Sequence, residues 1–102
     1  MAVPPRPGTD WTDDEHAEIR RLEKACHASE DWSLECGHTD VRDPWCIVYD
    51  QHHQAIIVHI ARIGRQYVVV WPREQRSKKT AIMAVAIDTA LEGLQVYRRR
   101  AS

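Results

Sequence analysis

The chain lacks most of the features that announce a biochemical class. Three cysteines in 102 residues, at no repeated spacing, argue against a disulfide framework and suit free thiols in a reducing compartment. The longest wholly apolar run, "AIMAVAI", is far short of the roughly 20 residues that cross a bilayer. The start "MAVPPRPGTD" has no apolar segment behind a basic one, so no signal peptide is expected and the cytoplasm is the expected location. No Gly-x-Ser-x-Gly, Walker or dinucleotide-binding glycine pattern occurs, and no catalytic residue is assigned. Cys36, beside Gly37 and His38, is the one cysteine tolerably placed for nucleophilic chemistry. Cys26 falls at the C-terminal end of a predicted helix, which is electrostatically wrong for a thiolate.

Net charge is also nearly absent, at −1, but it is unevenly spread. Residues 1–50 hold 12 Asp and Glu against 5 Lys and Arg, a net of −7; residues 51–102 hold 3 against 9, a net of +6. Such polarity suits a nucleic-acid surface, self-association in which an acidic end meets a basic end, or internal pairing of an acidic helix with a basic one.

What is present reads as one α+β domain, because 102 residues are too few for two stable cores. Residues 1–10 hold three prolines and a glycine and read as a flexible arm; residues 11–97 form the domain and 98–102 a basic tail. Thr12 and Glu15 stand at the two positions of a helix capping box, and Ile19, Leu22 and Cys26 make the apolar stripe that follows. This first helix fades near Ser29. "WSLEC" reads as a short extended piece, ended by Gly37. Trp45 to Asp50, Ala55 to Ile63 and Gln66 to Trp71 then read as an antiparallel meander, with Gly64 in a tight turn and Pro72 ending the last strand.

Alternation along the middle strand sends Ile56, Val58, Ile60 and Arg62 to one face, and Ala55, Ile57, His59, Ala61 and Ile63 to the other. His52 and His53 fall in the first turn, with diverging rings. A second helix is predicted from about Lys78, capped by Ser77 and running to the arginines. The expected architecture is two helices on one face of a three- or four-stranded antiparallel meander, in the order α-(β)-β-β-β-α.

The second helix carries more apolar surface than one sheet face hides. Met83, Ile87, Leu91 and Leu94 form its main stripe; Ile82, Val85 and Val96 are left over. With Trp71 at a strand end, these three are the candidate interaction residues. The leading expectation is a non-enzymatic protein-interaction or regulatory module, forming a homodimer or binding another protein, with no membrane partner.

Two other chemistries are visible. Cys36, His38 and Cys46 form a Cys-x-His-x7-Cys array, with His52 beyond it. Zinc needs about four thiolate or imidazole ligands, and "CGH" supplies one knuckle while the second is incomplete. Zinc is therefore an alternative, and no cofactor is the main expectation. The stretch "SKKTAIMAVAIDTALEGL" resembles the last helix of the double-stranded RNA-binding domain. That resemblance implies an RNA-like duplex partner and places Lys78 and Lys79 on its phosphates. Arg98, Arg99 and Arg100 would extend the basic surface. Finally, "DPWCIVYD…HIARIGRQYVVVWP" is similar to part of an uncharacterised group of small bacterial proteins, over about residues 32–94. This implies domain limits and carries no functional residue.

Overall fold

The computed structural model describes residues 10–40 and 43–101; the expected N-terminal arm lies, except for Asp10, outside the described residues. In chain order the elements are α1 (Asp13–His27), β1 (Trp32–His38), β2 (Pro44–Asp50), β3 (Ala55–Ile63), β4 (Gln66–Trp71), a 3-10 turn (Pro72–Glu74), β5 (Arg76–Thr80) and α2 (Met83–Ala101). The strands form one antiparallel sheet in sequential order β1-β2-β3-β4-β5. Both helices lie on one face of it, and among the described residues neither is long and apolar enough to cross a membrane.

The α1 capping box is complete. Thr12 Oγ1 accepts from the Glu15 N–H at 3.2 Å, and Glu15 Oε1 accepts from the Thr12 N–H at 2.8 Å. Glu15 has a second use. It is buried with Arg62, whose Nη1 donates to its Oε1, while the Tyr67 hydroxyl donates to its Oε2 at 2.6 Å. The start of α1 is thereby fastened to β3 and β4. Ile19, Leu22 and Cys26 enter the core, where they meet Cys46, Val48, Ile60 and Val69 from the sheet and Met83, Ile87, Ala90 and Leu94 from α2.

The sheet departs from expectation at three places. "WSLEC" joins it, the four-stranded alternative of the expectation, but β1 continues to His38, so Gly37 does not end the strand. Between Val48 and Tyr49 the β2–β3 register shifts, so that Val48 pairs with Val58 and Tyr49 with Ile56. The extra residue, Ile57, is buried with the helix-facing set while Ile56 is exposed. A bulge of this kind inverts the alternation beyond it; strict alternation had assigned these two residues the other way round.

The third departure is the largest. The second helix does not begin near Lys78, and Ser77 does not cap it, because Arg76–Thr80 is a fifth strand paired to β4. After the 3-10 turn, Gln75 adopts the left-handed conformation (φ 52°, ψ 44°), which sends the chain back along β4. Thr80 Oγ1 accepts from the Ile82 N–H at 3.2 Å, and α2 starts one residue later. At its other end α2 runs through the arginines of the expected tail to Ala101.

Candidate interaction surfaces

Register sorts the sheet into two faces. Trp32, Leu34 and Cys36 of β1, Cys46, Val48 and Asp50 of β2, Val58, Ile60 and Arg62 of β3, and Tyr67, Val69 and Trp71 of β4 face the helices. The opposite face has no described helix on it, yet it is not polar. Trp45, Ile47 and Tyr49 of β2 lie beside Ile56, His59 and Ala61 of β3 and Val68 and Val70 of β4. Ala61 is buried and Ile56 exposed; the remaining six are half-buried by one another. Glu35 stands on this face at the β1 edge and Lys79 at the β5 edge. The Trp45 ring crosses Gly37 and meets the His59 ring edge-on, with centroids 6.1 Å apart. Burial holds the His59 imidazole below its ordinary pKa.

The leftover α2 stripe is exposed as expected: Ile82 is 59%, Val85 37% and Val96 39% accessible. Trp71 is not the surface contact expected of it. It is buried beneath Gly93, and the Arg76 guanidinium lies 4.9 Å from its ring centroid. Trp71 and Val96 nevertheless meet at the wall of one groove of about 360 Å³ between β5 and α2, shared with Arg76, Lys78, Thr89 and Glu92.

The basic candidates do not form one surface. Lys78 pairs with Val69 and Lys79 with Val68, so as neighbours in a strand they point to opposite faces. Neither opens a helix, which was the position that the RNA-binding resemblance implied. Arg98 lies over the Trp32 ring at 4.9 Å, and Arg100 Nη1 approaches Glu74 Oε1 at 3.4 Å. The helices are joined by an ion pair from Arg21 of α1 to Asp88 of α2.

Of the candidate metal ligands, Cys36 and Cys46 face each other across β1 and β2. His38 is bonded to Asp10 instead, and His52 lies beyond the far end of β2. Among the described residues no three His, Cys, Asp or Glu side chains form a metal-holding group.

Sequence reasoning placed the turn after β2 but missed the cluster that Asp50 builds there. Asp50, buried, accepts from the His52 and His53 N–H groups at 2.9 and 3.2 Å, from His53 Nδ1 at 2.7 Å and from the Tyr97 hydroxyl at 2.6 Å. Burial alone would raise the Asp50 pKa, but the bonds from Tyr97 and His53 prevail and hold it below the ordinary value. The two histidine rings do not diverge: they meet edge-on at 4.7 Å. The Asp50 cluster shapes the turn and, through Tyr97, fastens α2 to the sheet. "YDQHH" was its visible signal, an aspartate at the head of a turn able to accept from the following N–H groups.

No family model, no curated protein and no solved structure matches this chain.

Proposed function

We propose that this chain is a small non-enzymatic protein-interaction module, and that its open sheet face binds the same face of a second copy. One observation carries the reading: a five-stranded sheet whose helix-free face is built from apolar and aromatic side chains. Five strands about 4.8 Å apart and about six residues of 3.3 Å each give a face of roughly 24 by 20 Å. With side-chain relief its area approaches the ~800 Å² that each partner gives to a standard interface. The apolar centre of this face spans β2, β3 and β4, and an apolar patch with a polar rim marks an association site.

Charge supports one arrangement. A twofold axis parallel to β3 lays β1 of each copy over β5 of the other, bringing the Glu35 edge above the Lys79 edge. An axis across the strands would instead stack Glu35 on Glu35. Twofold pairing is also the commonest oligomeric symmetry, and two sheets stacked ~10 Å apart form an ordinary sandwich.

Sedimentation equilibrium tests this. The chain is expected to dimerise at micromolar concentration, and Ile47→Lys to yield a folded monomer. Glu35→Lys and Lys79→Glu are each expected to weaken the dimer, and the double variant to restore it. A monomer throughout this range overturns the reading. A dimer indifferent to Ile47→Lys but broken by Val96→Lys moves the contact to the α2 stripe.

A further inference from the structure

Cys36 and Cys46 are register partners at the β1–β2 ladder, with both side chains on the helix side. Directly opposed residues of antiparallel strands have Cα atoms about 4.5 or 5.5 Å apart, according to the hydrogen-bonding class of the pair. Both separations fall within the ~4.4–6.8 Å that a disulfide spans. The two sites differ in access: Cys36 is exposed at the edge strand and Cys46 is buried. The two positions share one rung of the ladder, and each thiol shifts the pKa of the other. We infer that Cys36 and Cys46 form a reactive dithiol, in which Cys36 is oxidised by a hydroperoxide and Cys46 resolves the product as an intrachain disulfide. This site is independent of the self-association proposed above.

The chemistry follows from the asymmetry. The neighbouring Cys46 thiol lowers the Cys36 pKa, against opposition from burial and the Glu23 carboxylate. Cys46 is driven upward by the neighbouring Cys36 and by burial. Its sulfur therefore keeps its proton until it is used. The Cys36 thiolate attacks the outer oxygen of the peroxide, the O–O bond breaks, and the alcohol or water leaves with one proton. Cys36 is then a sulfenic acid. The Cys46 sulfur attacks the Cys36 sulfur, the S–O bond breaks, and the hydroxyl leaves as water with the Cys46 proton. Two thiols and one hydroperoxide give one disulfide, one alcohol and one water; two equivalents of an external thiol reverse the change.

Cys26 supplies an internal control. It is buried in the inner stripe of α1, and burial with the Glu23 charge pushes its pKa up to about 11. Reactivity follows thiolate character and access, so it stays reduced.

The test uses the full, reduced, folded chain and stoichiometric hydrogen peroxide at neutral pH. Remaining thiols are then alkylated in denaturant and the protein is weighed and mapped. The expected product has lost two hydrogen masses, keeps one alkylatable thiol, at Cys26, and links the Cys36 and Cys46 peptides; dithiothreitol restores all three thiols. Cys46→Ser is expected to leave a sulfenic acid at Cys36 that dimedone traps. Cys36→Ser, a change at an exposed position, is expected to slow peroxide consumption at least tenfold. Three alkylatable thiols after wild-type treatment, a bond that includes Cys26, or a bond between two chains would each overturn the inference.

Discussion

The Trp45 indole lies so close over Gly37 that a β-carbon at position 37 would stand 2.5 Å from ring atom Cζ2. Glycine is needed here for clearance, because the two residues are paired across β1 and β2 and the ring occupies the missing side chain's place. Gly37→Ala is expected to push the indole aside and destabilise the fold by about 1–3 kcal/mol, as overpacking does. It is also expected to weaken self-association through the displaced Trp45. Urea denaturation and sedimentation measure the two effects on one sample.

Gly93 repeats the relation on the other side of the sheet. Its added β-carbon would fall 2.1 Å from Trp71 Nε1. Alanine gains about 1 kcal/mol over glycine in a helix interior, but the clash with a buried indole outweighs it. Gly93→Ala is expected to lower stability by a net of up to about 2 kcal/mol, the difference of these effects. Adding Trp71→Val should recover part of the loss, read as coupling in a double-mutant cycle.

The buried Glu15–Arg62 pair gives an asymmetric prediction. Arg62→Met leaves the Glu15 carboxylate buried with Tyr67 as its remaining side-chain donor, and is expected to cost about 3–5 kcal/mol. The double variant Glu15→Gln with Arg62→Met is expected to be more stable than Arg62→Met alone. Chemical denaturation of the four chains decides it.

The Tyr67 hydroxyl makes stability depend on alkaline pH. Burial, together with the bond to Glu15, pushes its pKa up from 10.0 to about 12. A group raised on folding contributes fully below its unfolded pKa, and the contribution is lost as pH rises through the folded value. Tyr67→Phe is therefore expected to be the less stable chain at pH 8, by about 1–3 kcal/mol for a hydrogen bond to a charged group. The gap should narrow between about pH 10 and 12, as wild-type Tyr67 ionises. Urea midpoints across this range measure it.

His59 gives the opposite sign. Burial holds its pKa below 6.5, so the stability of the neutral form is present above that value and is lost as pH falls through the lower folded value. Glu35, Tyr49 and Lys79 are the other titratable groups on its face. Covering the face with a second copy would penalise the charged imidazole further. Dimer affinity is expected to fall as pH drops through the His59 pKa of the folded chain, which lies below 6.5, by up to tenfold per pH unit for each imidazole. His59→Phe should flatten the profile in sedimentation.

Much of the fold was legible because its signals are local. The Thr12–Glu15 box fixed the start of α1, Gly64 fixed the β3–β4 turn with φ +64°, and the helical stripe at Met83, Ile87 and Leu94 named the residues that α2 buries. What failed depended on partners distant in the chain. "RSKKT" has no apolar alternation, and only Gln75 turning left-handed and the free side of β4 make it a strand. Trp71 looked like a surface residue because the glycine that admits it, Gly93, lies 22 positions further on. The open face was half legible: alternation gave His59 and Ala61 their direction, but the bulge opposite Val48 moved Ile56 to join them.

The last strand, finally, guards one edge of the sheet. A sheet ending in an unpaired ladder invites further strands, and growth along that direction yields fibres. Here the terminal rung is Arg76, Ser77, Lys78, Lys79 and Thr80, and two such rungs brought edge to edge would set cation against cation. Pairing of this rung with a second copy of itself is therefore repelled, and the fold keeps β5 as an edge that its own kind does not extend.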